Sequence, residues 1–339
     1  MKSLFSHAKT SLLCACLAIV GCSTQAGSQQ VSVHDPVMIK SNDTYYVFST
    51  GPGITYYQSD DMIHWQLAGR VFATEPKWAK SVAPSFDGHL WAPDVIEKDG
   101  VFYLYYSVSA FGRNTSAIGV ATTKSLDPNS ADFGWVDHGA VIESVPERDD
   151  WNAIDPALIA DEHGNYWMSF GSFWSGLKLV KMDPSLTAIA QPQEWHHIAR
   201  RPLHEHNPSG GAIEAPFIFK HQGFYYQFLS FDKCCRGMDS DYKIMVGRSK
   251  TVTGPYLDKQ GNSLLDGGGT LVLQGNKDYV ALGHNSAYHF DGQDYLVFHA
   301  YETADNAQQK LKILPIKWVD GWPTVNPDDL NRYQSVLMK

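Results

Sequence analysis

Five short segments of this 339-residue chain each open on a residue that can do chemistry or support it, then run into apolar strands. They begin at Asp35, Trp91, Asp155, Glu214 and His284, spaced by 56, 64, 59 and 70 residues. Three carboxyl groups and an imidazole this far apart along the chain meet only if the repeat closes on itself. Carboxyls crowded into a partly closed cavity cannot all keep ordinary pKa values, because like charges and lost hydration penalise ionisation. One then stays protonated and gives its proton to a leaving oxygen, while an ionised partner attacks a sugar or activates water. Glycoside hydrolysis needs that division of labour. Glu214 has the longer reach and is the more natural acid. Asp35 and Asp155 are left for the base and for tuning, in either order.

Each opening residue leads into a pair of strands. Val37, Met38 and Ile39 precede a turn and the run Tyr45, Tyr46, Val47, Phe48; Val95 and Ile96 precede Phe102 to Tyr106. Leu158 and Ile159 lead to Tyr166 to Phe170, Phe217 and Ile218 to Phe224 to Phe228, and Ala287 and Tyr288 to Tyr295 to Phe298. Third strands such as Ile118 to Ala121 and Ile244 to Gly247 follow, and a fourth is often marked by tryptophan, as at Trp65 and Trp135. Aromatic and β-branched runs bounded by Gly, Pro and Asp, with no long segment of period 3.6, indicate an all-β chain. Five copies of a unit of about sixty residues predict a five-bladed β-propeller with four antiparallel strands per blade. The first strand of a blade is innermost, so its opening residues face one central channel.

A sugar site also needs flat apolar faces and hydrogen-bonding groups. Trp91 is the candidate platform, and Phe111 and Trp174, which follow second strands, are expected at the rim. Asn152, Ser172 and Ser175 lie close by in sequence and are candidates for bonding sugar hydroxyls. Asp94, two residues into a strand, is expected to make a structural bond. No zinc-type ligand spacing occurs.

The ends place the chain in a compartment. Lys2 and Lys9 precede an apolar stretch from Leu12 to Val20, too short for a spanning helix, so residues 1–21 read as a signal peptide. Ile19-Val20-Gly21-Cys22 resembles a lipobox, with Cys22 as lipid anchor to the outer membrane. The alternative is an ordinary signal cleaved near Ala26, giving a secreted or periplasmic protein. Residues 22–30 are polar and read as a tether, and 31–339 as the catalytic domain. The formal charge is −9, or −11 once residues 1–21 with their two lysines are removed, which argues against nucleic acid as partner. Past Cys22 only Cys234 and Cys235 remain, either as a vicinal disulfide or as two thiols.

The segments around Asp35-Pro36, Trp91-Ala92-Pro93-Asp94, Asp155-Pro156 and Glu214-Ala215-Pro216 resemble those of glycoside hydrolase family 43, and of its arabinanases in particular. Ser249 to Tyr256 and Gly283-His284-Asn285 fit the same group. The resemblance implies an inverting enzyme on α-1,5-linked L-arabinan or arabino-oligosaccharides, with endo action favoured. Asp35 would be the general base, Glu214 the general acid, and Asp155 the carboxylate that orients the acid and raises its pKa. It also implies that His284 helps hold a central calcium ion through a solvent shell; a histidine that plugs the channel is the competing reading. An exo-acting α-L-arabinofuranosidase or β-xylosidase is the nearest rival, and a non-catalytic carbohydrate-binding propeller the rival of another class.

Overall fold

A computed structural model describes residues 29–202, 211–332 and 335–336. The signal segment and Cys22 lie outside the described residues. The remainder is a five-bladed β-propeller. Blade I comprises Val37–Ser41, Thr44–Ser49, Thr55–Ser59 and His64–Arg70, all antiparallel to their neighbours. Blade II runs His89–Lys98, Val101–Val108, Ser116–Thr123, Val136–Ser144. Blade III is Ala157–Ala160, Tyr166–Phe170, Leu177–Lys181, Trp195–Ala199. Blade IV is Ile213–His221, Phe224–Phe231, Lys243–Ser249, Thr270–Leu273.

Blade V departs from the expected four strands. Its sheet holds Tyr279–Phe290, Gln293–Glu302 and Gln308–Pro315. The fourth place is taken by the start of the domain: the Leu311 amide donates to the Val31 carbonyl at 3.0 Å, and Gln308 Nε2 donates to Ser32 Oγ. Gln29–Gln30, in the stretch read as a tether, pairs with Ser335–Val336, which lies parallel to the outer strand of blade I. Both ends of the domain therefore lock the first and last blades together.

The inner hairpins turn tightly. Asp99-Gly100, Gln222-Gly223 and Asp291-Gly292 are two-residue loops with both φ values positive, the conformation whose twist matches that of paired strands. Among the described residues the core is six apolar clusters, one at each of the five junctions between blades and a small sixth of Tyr242, Ala281, Tyr301 and Ala307. Tyr46, Phe48 and Tyr56 pack on Leu90, Leu104 and Tyr106 between blades I and II, for example, and Met38, Val47 and Trp65 pack on Val297, Leu311 and Ile313 between I and V. Each blade is thus apolar on both faces, which explains the nearly continuous burial of second strands such as Tyr45 to Ser49. No helix among the described residues is long and apolar enough to cross a membrane.

Asp94 behaves as a structural group. It is buried, and its Oδ2 accepts the Leu158 amide of the next blade at 2.7 Å. Burial pushes this carboxyl up from 3.8 to about 7, against the hydrogen bonds that favour its ionised form. The folded state therefore holds the proton more tightly than the unfolded chain. This group's stabilisation is complete below pH 4 and is lost as pH rises toward 7. Asp94→Asn keeps an acceptor for Leu158 without the titration. Urea unfolding at pH 5 and 8 should show the variant gaining about 2–3 kcal/mol on the parent between the two pH values.

Candidate active site

The inner strands begin with a shared backbone device. Asp35, Ala92, Asp155, Ala215 and His284 all have φ between 44° and 60°, one per blade, although none is glycine. In blades II, IV and V this residue sits in a break of strand register, between Trp91 and Asp94, Glu214 and Phe217, and Gly283 and Ser286. Such bulges re-aim a side chain. Left-handed backbone costs about 1 kcal/mol or more per non-glycine residue, so the surroundings must hold it. Four of the five amides donate to a second-strand side chain of the preceding blade. Asp35 N–H donates to His299 Nδ1, Ala92 N–H to Thr50 Oγ1, Asp155 N–H to Ser107 Oγ and His284 N–H to Ser230 Oγ, at 2.8–3.1 Å. In blade III the corresponding residue is Gly171, which has no side chain, and the Ala215 amide instead donates to Asp155 Oδ2 at 3.1 Å. Gly283 is needed for space: a Cβ there would lie 2.0 Å from the Tyr242 ring.

Asp35 is 7 % exposed and ringed by donors. His34 Nδ1 lies 2.8 Å and His284 Nδ1 3.0 Å from its Oδ1, and Thr50 Oγ1 donates to its Oδ2 at 2.5 Å. Burial works against ionisation here, but His284 and His34 overcome it and hold Asp35 well below the usual carboxylate range. His299, stacked on His34, is held neutral by burial, consistent with its Nδ1 accepting the Asp35 amide. Asp155 is equally buried and has the opposite setting. Burial first, then the Glu214 and Asp35 carboxylates, push it up to about 8, with His284 pulling the other way. Two aspartates of one channel are thereby driven apart, one ionised and one holding a proton at neutral pH. Their neighbour His284 is raised to about 9; burial opposes this, and Asp35 and Asp155 supply the attraction.

Glu214 is more open than either aspartate. Its Oε2 accepts from Ser172 Oγ at 2.8 Å, and its Oε1 lies 3.8 Å from Cys234 Sγ. Cys234 and Cys235 are joined as a vicinal disulfide. Ser172, read from sequence as a sugar contact, thus has its hydroxyl engaged by the candidate acid. Ser175 donates to Asp150 and accepts from the buried Lys178 ammonium, which secures the turn carrying Trp174. Phe173 and Trp174 both have positive φ, and Trp174 is 43 % exposed. Phe111 is 82 % exposed, and Trp91 is half-buried opposite Ser107. Asn152 is buried and accepts from Ser116 at 2.7 Å.

Sequence reading did not single out His34, Thr50, His299 or Tyr301. Thr50, Ser107, Ser230 and His299 recur at the end of successive second strands, a signal visible only when those strands are aligned as the first ones were. Thr50 is a positioning residue: it donates to the Asp35 carboxylate while accepting the Ala92 amide. Thr50→Val should lower kcat/KM about 10- to 100-fold, the value of one hydrogen bond to a charged group. With that donor gone the Asp35 pKa rises, so the acidic limb of the pH–rate profile should move to higher pH.

The cation expected beside His284 can be tested against these residues. His284 Nδ1 faces Asp35, so only Nε2 is free for a metal. Among the described residues, the sets of three ligand atoms close enough for one ion are His34, Asp35, His299 and His34, Cys234, Cys235, neither of which includes His284. The channel beneath is lined by Asp94, Asp155, His284, Asn285 and Ser286, and both amide atoms of buried Asn285 lack a partner. An ion there would take oxygen ligands from water and the Asn285 amide, and His284 Nε2 only once that imidazole has given up its second proton.

The chain has relatives among known proteins. The profile of the family described as glycosyl hydrolases family 43 matches residues 29–323. The chain is 59 % identical to the extracellular exo-α-(1→5)-L-arabinofuranosidase of Cellvibrio japonicus, over 97 % of this chain and 94 % of the relative. It is 42 % identical to the extracellular endo-α-(1→5)-L-arabinanase 1 of Bacillus subtilis, over 88 % and 89 %. The structure of the Cellvibrio cellulosa α-L-arabinanase complexed with arabinohexaose superposes with a TM-score of 0.87 at 58 % identity, covering 91 % of this chain and all of that one.

Proposed function

Because the chain belongs to glycosyl hydrolase family 43, we propose that it hydrolyses α-(1→5)-linked L-arabinan with inversion at the anomeric carbon. The observation that carries this reading is the opposed setting of Asp35 and Asp155 beside the more open Glu214. Asp35, ionised, takes a proton from water, whose oxygen bonds to the anomeric carbon. The bond from that carbon to the linking oxygen breaks, and Glu214 protonates the departing hydroxyl. Asp155, whose Oδ2 accepts the amide of Ala215 beside Glu214, would orient the acid and tune it. Trp91, Phe111 and Trp174 offer faces to the furanose rings. A calcium ion on His284 and water would supply positive charge beneath the carboxylates.

Two readings of the cut position stand. Internal cutting is favoured by the name of the 42 % identical relative. Removal of units from chain ends is favoured by the name of the relative at 59 % identity, and the higher identity makes it the stronger. Both relatives are named for arabinose polymers, which speaks against the β-xylosidase alternative, and the carboxylate constellation speaks against a binding-only propeller. Both are also named extracellular, in keeping with export, with or without a lipid on Cys22. The time course on linear arabinan decides the mode. A ladder of oligosaccharides from the first minutes marks internal cutting, and a single small product throughout marks attack from an end.

A further inference from the structure

The vicinal disulfide sits where the two halves of the site meet. Cys234 Sγ faces Glu214 Oε1 at 3.8 Å, and Cys235 Sγ faces His34 Nε2 at 3.9 Å. His34 is the residue whose other nitrogen contacts Asp35. Because that carboxylate can only accept, Nδ1 carries the hydrogen and Nε2 keeps a lone pair, which takes the Tyr301 hydroxyl at 2.7 Å. While the sulfurs are bonded to each other they are poor metal ligands. As two thiolates beside a free imidazole lone pair, they are the donor types a soft divalent ion selects.

We propose that reduction of Cys234–Cys235 creates a zinc-type site formed by the two thiolates and His34 Nε2, with water as the fourth ligand, and that the disulfide keeps such ions off the catalytic carboxylates. The spacing supports it. The ligand atoms of His34, Cys234 and Cys235 already lie within 4.8 Å of one another. A tetrahedral zinc with ordinary bond lengths sets sulfur and nitrogen, or sulfur and oxygen, about 3.6 Å apart, and two sulfurs about 3.8 Å apart. The contact between Cys235 and His34 is therefore within about 0.3 Å of what the ion needs. The sulfur–sulfur bond must open and the two sulfurs move apart. Cys235 is exposed and Cys234 half-buried, so a reductant and an ion can both reach them. A phosphine supplies the two electrons and leaves as its oxide with oxygen from water, while the sulfurs take up two protons. Metal binding then releases those protons and displaces the Tyr301 hydroxyl from His34. The site differs from the water-liganded channel position beside His284 in donor type and in place, and it goes beyond the hydrolytic reading.

The test is cobalt titration of the full chain before and after phosphine reduction, followed by zinc. The reduced chain should take up one Co²⁺ with thiolate-to-cobalt charge-transfer absorption, which zinc abolishes and the oxidised chain never shows. This readout needs no turnover, so it stands or falls separately from the hydrolytic reading. Zinc should lower arabinan hydrolysis by the reduced chain about tenfold or more, reversibly with a chelator, and leave the oxidised chain unaffected. The double variant Cys234→Ser/Cys235→Ser, which keeps Cys22, should show neither effect. Reduced and alkylated parent serves if that variant does not fold. Absence of thiolate absorption in the reduced chain overturns the proposal, as does equal zinc inhibition of the oxidised chain or of the double variant.

Discussion

Glu214→Gln is expected to lower the hydrolysis of linear arabinan by about 10³-fold, the contribution of a positioned general acid. Gln keeps the volume and the acceptor for Ser172 but has no proton to give. The loss should depend on the leaving group. An arabinosyl ether of a sugar alcohol departs as a strongly basic alkoxide unless it is protonated, whereas an activated phenolate leaves unaided. On such an aryl arabinofuranoside the variant should recover most of the parent's kcat. A uniform loss on both substrates would remove Glu214 from the role of acid.

Asp35→Asn should be at least as damaging, about 10⁴-fold, and equally so on arabinan and aryl substrates, because water must lose a proton whatever leaves. The amide also removes the negative charge that holds His284 as a cation and that His34 and His284 are arranged to meet. In the parent, Asp35 is depressed far below ordinary carboxylates. The acidic limb of its profile should therefore be set by a group titrating well under pH 4, and activity should persist in mildly acidic buffer. Kinetics of both variants on two substrates separate the roles of the two residues without further structural work.

Much of this was legible before any coordinates, for a physical reason. A propeller's repeat is written in strand pairs, and the pairs Val37 to Phe48 or Leu158 to Phe170 carry the aromatic and β-branched residues that such sheets need. The three carboxylates followed from the closure of the ring. The exact equivalence between blades was missed. Aligned on their opening residues, Trp91 and Glu214 match Asp35; in the backbone, Ala92 and Ala215 do, each standing before a proline as Asp35 and Asp155 also do. Nor did sequence reveal that Ser172, Ser175 and Asn152 already have partners within the protein, since a serine near a site looks the same whether it bonds a sugar or a carboxylate. The occupant of the fourth place in blade V was not foreseen because it stands around Val31, nearly three hundred residues upstream of Leu311.

That closure bears on when the protein becomes an enzyme. His34 and Asp35 stand at one end of the domain, and the groups that set them, His284, His299 and Tyr301, at the other. Contacts of such long sequence separation form late in folding, after the entropy of bringing the ends together has been met. A chain emerging from a translocation pore, with blades I to IV formed, would carry an aspartate with neither its imidazole neighbours nor its buried setting. Catalytic competence should then arrive in one step with the docking of the last blade, so the rise of activity during refolding is a clock for ring closure itself.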